Sequence, residues 1–299
     1  MAFETLLVGC LYSAVGYLSL PLYFRIIWVM LTHPDFRKQQ CYFLMAQINI
    51  LDCLFVLGQA TFGVAIIAKN ETISFLTEYI AIPIFATAWM TVLAVNLVLA
   101  VNRLKVLCDV HLSNHAMSAL IAGSWLFGAL FLVSYASQLA PLIVVNKLFV
   151  AYDTQLPYAR IVQLCELYSS MTLLTITLCI YLYILASLMR RRLNFSTNKS
   201  RAISSTDLKL LFQALLVFLI GGLLEVFWNF GDKILPESVW SGIVTNALFI
   251  LNCGWINPGL CLLLNRKVRH AVFYTSNTVM TRVKPSAAAR MQTSVTTLK

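Results

Sequence analysis

The chain has 299 residues, of which 60% are hydrophobic and only 11% charged, with a formal net charge of +10. A water-soluble domain is nearer to about 45–50% apolar and about 25% charged, so this composition carries too little charge to solvate the surface of a soluble fold. It excludes a soluble globular protein and points to a single bundle in a membrane rather than to several domains.

A membrane-crossing helix needs roughly 20 mostly apolar residues. In chain order such stretches lie at 4–31, 41–68, 78–103, 116–141, 160–189, 208–231 and 239–264. The prediction is an all-α membrane protein, a bundle of seven spans over residues 1–275, followed by a disordered tail over 276–299. That tail is rich in Ser and Thr and contains Ala287-Ala288-Ala289. Met1–Cys10 holds no Lys or Arg, so the basic start of a cleavable signal peptide is missing and the first stretch is read as a helix that stays. The few residues ahead of it leave no room for an extracellular binding domain. Tyr79–Asn102, Ala116–Asn146 and Ser238–Asn265 are free of charge, whereas Arg25, Asp52, Glu166 and Glu225 each sit inside another span. Arg25 is near a helix end, where a long side chain reaches the headgroups.

The basic residues separate by side. Arg25, Arg37, Lys38, Arg103, Lys105, Arg190–Arg192, Lys199, Arg201, Lys209, Arg266, Lys267, Arg269, Arg282, Lys284, Arg290 and Lys299 fall on one side; Lys69, Lys147, Arg160 and Lys233 fall on the other. That is 18 of 22, and basic residues near helix ends favour the cytoplasm. The N-terminus is therefore expected outside and the C-terminus inside, in the plasma membrane. The net charge is then a feature of loops beside anionic lipid, and no nucleic acid partner is expected. The eight cysteines mostly fall within apolar spans and read as small buried hydrophobes, not as a disulfide framework. Of three N-x-S/T sequons, at Asn70, Asn194 and Asn198, only Asn70 falls on the outer side as a glycosylation acceptor.

Polar groups in a medium that penalises them are the candidates for mechanism. Asp52 lies midway along span two, with Asn49 on the same helical face and Asn252 and Asn257 as partners across the bundle. It is either part of a functional centre or a protonated packing residue. Arg103 follows Asn102 at the end of span three and is either a snorkelling side chain or a switch. Asp207, after Ser204-Ser205-Thr206, either partners Arg103 or caps span six. Asn257-Pro258 breaks span seven, because proline lacks a backbone donor and leaves a carbonyl to be satisfied by something else.

Asp52, Asn102-Arg103-Leu104, Trp125 and Asn257-Pro258-Gly259-Leu260-Cys261, in that order over seven spans, resemble the rhodopsin-like G-protein-coupled receptors. Within that superfamily the chain looks most like the nematode serpentine chemoreceptors of classes T, X and XA. The resemblance runs over residues 4–275. It implies a chemosensory receptor for a small molecule that couples to a heterotrimeric G protein, with Asp52, Asn102, Arg103, Asn257 and Pro258 as the activation switch. It also implies a sensory cilium as a place of work, and a short amphipathic eighth helix opening at Asn265-Arg266-Lys267-Val268-Arg269, with Val268, Val272 and Phe273 toward lipid. Departures accompany it. Asn102 stands where the family's triad has an acid, Leu104 and Cys261 stand where it has Tyr, span six has no proline, and Glu78 occupies the position of the usual disulfide cysteine.

If the resemblance holds, the outer halves of spans three, five, six and seven form the ligand cavity. Glu78, Phe85, Trp89, Glu166, Glu225, Trp228 and Asn246 are the residues expected to line it. Carboxylates with aromatics suit an organic cation, although Glu225 has Lys233 as an alternative partner, and small apolar metabolites stay open. Arg190-Arg191-Arg192 opens a third inner loop suited to a G protein or to anionic lipid. His111 and His115 near Cys108 and Asp109 lack a further fixed ligand, so no metal, cofactor or enzyme activity is expected. A retinal pump would need a lysine in span seven, which Ser238–Asn265 does not contain. A transporter would show paired broken helices, and only span seven shows an evident mid-span proline break. The alternative of a seven-helix ligand-gated channel requires the N-terminus inside.

Overall fold

The computed structural model describes residues 2–68, 70–138, 140–146, 148–153, 155–193, 205–234 and 239–274. Among the described residues, seven helices are long and apolar enough to cross a membrane: Phe3–Thr32, Gln40–Ala68, Glu71–Cys108, Asn114–Ala136, Pro157–Arg190, Leu208–Gly231 and Val239–Leu264. Successive spans run antiparallel. One end of the bundle, here the N-face, carries the start of the chain; the other, the C-face, carries the end of span one and the helix Arg266–Tyr274. Spans two and three are the most buried, so the core is built around them.

Spans one and two are joined along a seam of small residues. A Cβ added at Gly63 would lie 2.7 Å from the Ser13 amide nitrogen and 2.8 Å from the Gly9 carbonyl oxygen, and one at Gly16 would lie 2.7 Å from Ala60 Cβ. Small side chains let two helix backbones touch, which matters in lipid because no hydrophobic force drives helices together there. The close approach brings Tyr12 and Tyr23 of span one, both fully buried, within reach of span seven.

Two spans carry a wide turn just before a proline. Thr77–Ala81 precedes Pro83 in span three, and Asn252–Ile256 precedes Pro258 in span seven; both are π-helical. A proline supplies no N–H to the preceding turn, and a single π-type turn absorbs the break without ending the helix. In span seven the Tyr23 hydroxyl donates to the Cys253 carbonyl at this turn, meeting the need that lipid imposes on a freed acceptor. Span seven is not alone in holding a proline: Pro21 also lies inside span one.

The sequence reading placed several boundaries differently. Span three begins at Glu71, so Glu78 lies within the helix rather than at its head. Span four ends at Ala136, and the apolar run beyond it forms a hairpin instead, β1 (Leu142–Val145) paired antiparallel with β2 (Phe149–Tyr152). Leu142 faces Tyr152, Val145 faces Phe149, and Asn146 turns the chain with φ of 51°. A β-branched run, Ile143-Val144-Val145, ending at an Asn that tolerates positive φ is a strand-and-turn signal that hydropathy alone hides. In the helix Arg266–Tyr274, Val268 and Val272 are buried against the bundle, with Arg25 Nε donating to the Val272 carbonyl; only Phe273 of the three expected lipid-facing residues is exposed. Cys41, Cys53, Cys253 and Cys261 are buried, but Cys10, Cys165 and Cys179 are exposed on the outside of the bundle. Asn194, Asn198, the side chains of Arg191, Arg192, Asp207 and Lys233, and the tail 276–299 lie outside the described residues.

Candidate functional site

The N-face half of the bundle encloses a chamber of about 50 Å³ lined by Phe55, Gln59, Phe85, Ala86, Trp89, Tyr135, Leu142, Val150, Glu166, Trp228, Asn246 and Phe249. Its walls come from spans two to seven, and Leu142 and Val150 of the hairpin close it from the N-face. The aromatic rings meet at steep angles. Trp89 and Phe249 are 4.7 Å apart at 84°, and Trp228 and Phe249 are 6.1 Å apart at 87°. Phe55 packs on Phe85 at 5.5 Å and on Trp89 at 6.0 Å. Such edge-to-face contacts lock each ring against its neighbours. Gln59 and Asn246 exchange amide hydrogen bonds of 3.2 and 3.3 Å across the chamber, joining spans two and seven.

Two buried carboxylates belong to this chamber. Glu166 of span five accepts from the Tyr135 hydroxyl at 2.9 Å and from the Tyr152 hydroxyl, both on Oε2. Tyr152 is the last residue of β2, so this bond fastens the hairpin to span five. Glu225 of span six accepts from the Trp89 indole at 2.7 Å and from Asn229 Nδ2 at 3.0 Å. The two carboxylates are close enough for their charges to interact. A second, larger space of about 150 Å³ adjoins the chamber and shares Val150, Trp228 and Asn246 with it. Phe149, Gln163, Asn229, Ser241 and Thr245 add to its lining.

Of the seven residues expected to line a ligand cavity, Phe85, Trp89, Glu166, Trp228 and Asn246 line the one chamber. Glu225 stands behind Trp89, holding its indole. Glu78 does not belong: it lies in the π turn of span three and is exposed, while Thr77 and Ala81 of the same turn are buried. Phe55, Gln59, Tyr135, Tyr152 and Phe249 were not anticipated. Gln59, a polar residue inside an apolar span, carried a usable signal; the aromatics carried none, since apolar rings in apolar spans look alike.

A second chamber, of about 40 Å³, lies toward the C-face between Asp52, Asn96, Arg103, Gln213 and Asn257. Asn257 Nδ2 donates to Asp52 Oδ2 at 3.0 Å and the Tyr23 hydroxyl approaches the same oxygen at 3.5 Å. Asp52 Oδ1, Asn257 Oδ1 and Gln213 Oε1 are buried and make no hydrogen bond to protein, a pattern that suits ordered water in a space of this size. Asn49 and Asn252, expected as further partners of Asp52, turn elsewhere: Asn49 donates to the Met45 carbonyl and Asn252 only approaches the sulfur of Cys253. Asn102 donates to Gln40 at 3.1 Å. Arg103 is 2% exposed and near Tyr181 of span five, which rules out snorkelling to headgroups. Asn70 is exposed at the N-face and caps the start of span three through Oδ1, which accepts from the Thr72 and Ile73 amides. Among the described residues no three His, Cys, Asp or Glu side chains converge to hold a metal.

A family model described as the serpentine-type seven-transmembrane GPCR chemoreceptor Srv matches residues 12–278. The chain belongs to the Srv family. This chemoreceptor is thus a multi-pass membrane protein of a family of G-protein-coupled receptors, not of enzymes. The match falls in class Srv, whereas the motifs had suggested classes T, X and XA. The solved crystal structure of squid rhodopsin resembles the Srv chain with a TM-score of 0.76 at 12% identity, covering 94% of this chain and 87% of the other. At that identity the likeness speaks for the fold. No curated protein matches by sequence. Neither comparison favours the channel or transporter alternative for this Srv receptor.

Proposed function

We propose that this receptor takes a small-molecule ligand in the N-face chamber and passes its occupancy, through the Asp52–Asn257–Tyr23 contacts and Asn102–Arg103, to a heterotrimeric G protein at the C-face. The observation that carries the reading is the division of polar residues into two chambers along one bundle axis. Glu166, Trp89, Trp228 and Asn246 meet in the first, and Asp52, Arg103 and Asn257 in the second. Pro258 sits between Asn257 and the rest of span seven's inner end, where the π turn gives the helix a local hinge. The N-face is extracellular in this reading, and the 18 basic residues assigned to the opposite side support it. Asn70 is then outside, and its cap uses Oδ1 and not the Nδ2 to which a glycan attaches.

The test is a full-length receptor tagged at each terminus in intact and permeabilised cells, followed by a small-molecule panel read with G-protein dissociation sensors. The expected result is an exposed N-terminus, a hidden C-terminus, and a ligand response abolished by Phe249→Ala with surface expression retained. A response indifferent to Phe249→Ala, Trp228→Ala and Asn246→Ala together would remove the chamber from the mechanism.

A further inference from the structure

The N-face chamber combines three features that general chemistry associates with one kind of ligand. Its walls are aromatic on several sides, with Phe249 set nearly perpendicular to both Trp89 and Trp228. Glu166, 7% exposed, opens onto it. Glu225, fully buried, stands one ring behind, on the indole N–H of Trp89. Among the described residues neither carboxylate forms an ion pair with a Lys or Arg. Both tyrosine hydroxyls on Glu166 go to Oε2, and Trp228 also hydrogen-bonds this carboxylate; a carboxylate accepts about four hydrogen bonds, so room for a cation remains. Two carboxylates in an apolar interior are costly, and the cost is met by a proton or by a cation. Aromatic faces favour the cation, because the ring quadrupole attracts positive charge and keeps doing so where water is excluded.

We propose that the chamber binds a small organic cation, a quaternary or protonated ammonium, with Glu166 as its counter-ion and Trp89, Trp228 and Phe249 as its cage. The proposal rests on reading this chamber as the receptor's ligand site. The volume sets the size. A space of about 50 Å³ holds roughly four waters, each about as bulky as a methyl group, so a trimethylammonium head of one nitrogen and three methyls fits and a large alkaloid does not. The adjoining space, with Gln163, Asn229, Ser241 and Thr245 along it, takes a polar tail. The hairpin takes part as well, since Tyr152 orients the carboxylate that the cation meets.

The experiment uses the full-length receptor in lipid nanodiscs. The probes are choline, tetramethylammonium, and the neutral isostere of choline in which a tert-butyl group replaces the trimethylammonium. Thermal stabilisation is measured against probe concentration. Choline and tetramethylammonium are expected to stabilise the wild type, with the isostere weaker by at least about tenfold in half-maximal concentration. Glu166→Gln, which keeps the oxygen that the tyrosines need, is expected to weaken choline by at least about tenfold and to leave the isostere unchanged. Trp228→Leu weakens both cations and serves as a second variant if Glu166→Gln does not fold. Equal binding of choline and its isostere, choline binding unaffected by Glu166→Gln, or no stabilisation by either cation overturns the proposal. Nucleotide exchange on added G protein, read in the same nanodiscs, separates this failure from that of the receptor reading. Exchange without cation binding sinks the ligand class alone; cation binding without exchange upholds the ligand class and counts against the coupling.

Discussion

Gly63→Ala and Gly123→Ala are the same substitution in the middle of a membrane helix, and the packing around them predicts opposite signs. Alanine in a helix interior gains about 0.5–1 kcal/mol over glycine from backbone entropy, and both variants share that gain. At Gly123 nothing lies within 4 Å of the new methyl group, so the gain stands alone. At Gly63 the methyl meets Ser13 Oγ at 2.6 Å, Ser13 N at 2.7 Å and the Gly9 carbonyl oxygen at 2.8 Å, where ordinary contact begins at 3.4 Å. Two of these three atoms are backbone and cannot rotate away. Spans one and two must separate by several tenths of an ångström along their whole seam, and overpacking of this kind costs about 1–3 kcal/mol. Gly63→Ala is thus expected to lie below Gly123→Ala by about 1–3 kcal/mol, with the shared propensity gain cancelling in the difference. At about 2–4 °C per kcal/mol for a chain of this size, the melting midpoints in nanodiscs should differ by roughly 2–12 °C. Identical scan rates are needed, since such unfolding is under kinetic control. A Gly63→Ala midpoint equal to or above that of Gly123→Ala would refute the close approach and, with it, the route by which Tyr12 and Tyr23 reach span seven.

The π turn before Pro258 makes a second prediction. Tyr23→Phe leaves the Cys253 carbonyl without its donor and should cost about 1–3 kcal/mol. In Pro258→Ala, which restores a backbone N–H, the same change should cost less by about 0.5–1.5 kcal/mol, and strict additivity in the double-mutant cycle would argue against the link. Arg103→Ala should abolish ligand-evoked G-protein activation while surface expression stays largely intact; unchanged activation would remove Arg103 from the switch. Tyr152→Phe releases the hairpin from Glu166, so amide exchange over 142–152 should quicken by about three- to tenfold, with spans two and three unaffected as the internal control. Gln59→Leu leaves Asn246 without its amide partner in a buried setting and should destabilise the receptor by about 1–3 kcal/mol. Gln59→Leu with Asn246→Leu should recover part of that, as both polar groups then leave the interior together.

Seven spans, their order and the class of protein were legible in the sequence because lipid imposes a length and a polarity that each segment must satisfy by itself. The same logic marked Asp52, Arg103, Glu166, Glu225, Asn246 and Asn257, since a polar side chain in an apolar run stands out whatever surrounds it. Hydropathy carries no such information about neighbours. It carried span four to 141, past the helix end at Ala136, because the apolar run continues there, and it started span three late, at Glu78, which lies outside the cavity. The family resemblance placed Val268 and Val272 toward lipid when the bundle itself is what covers them. Which of the flagged groups meet was decided only by tertiary structure. The glycine seam sets the distance of span one from span two, the π turns rotate spans three and seven, and the hairpin brings Tyr152 to Glu166. Those rotations and spacings depend on contacts between residues more than 200 positions apart, as with Tyr23 and Cys253 or Arg25 and Val272, and a pattern read along one chain does not contain them.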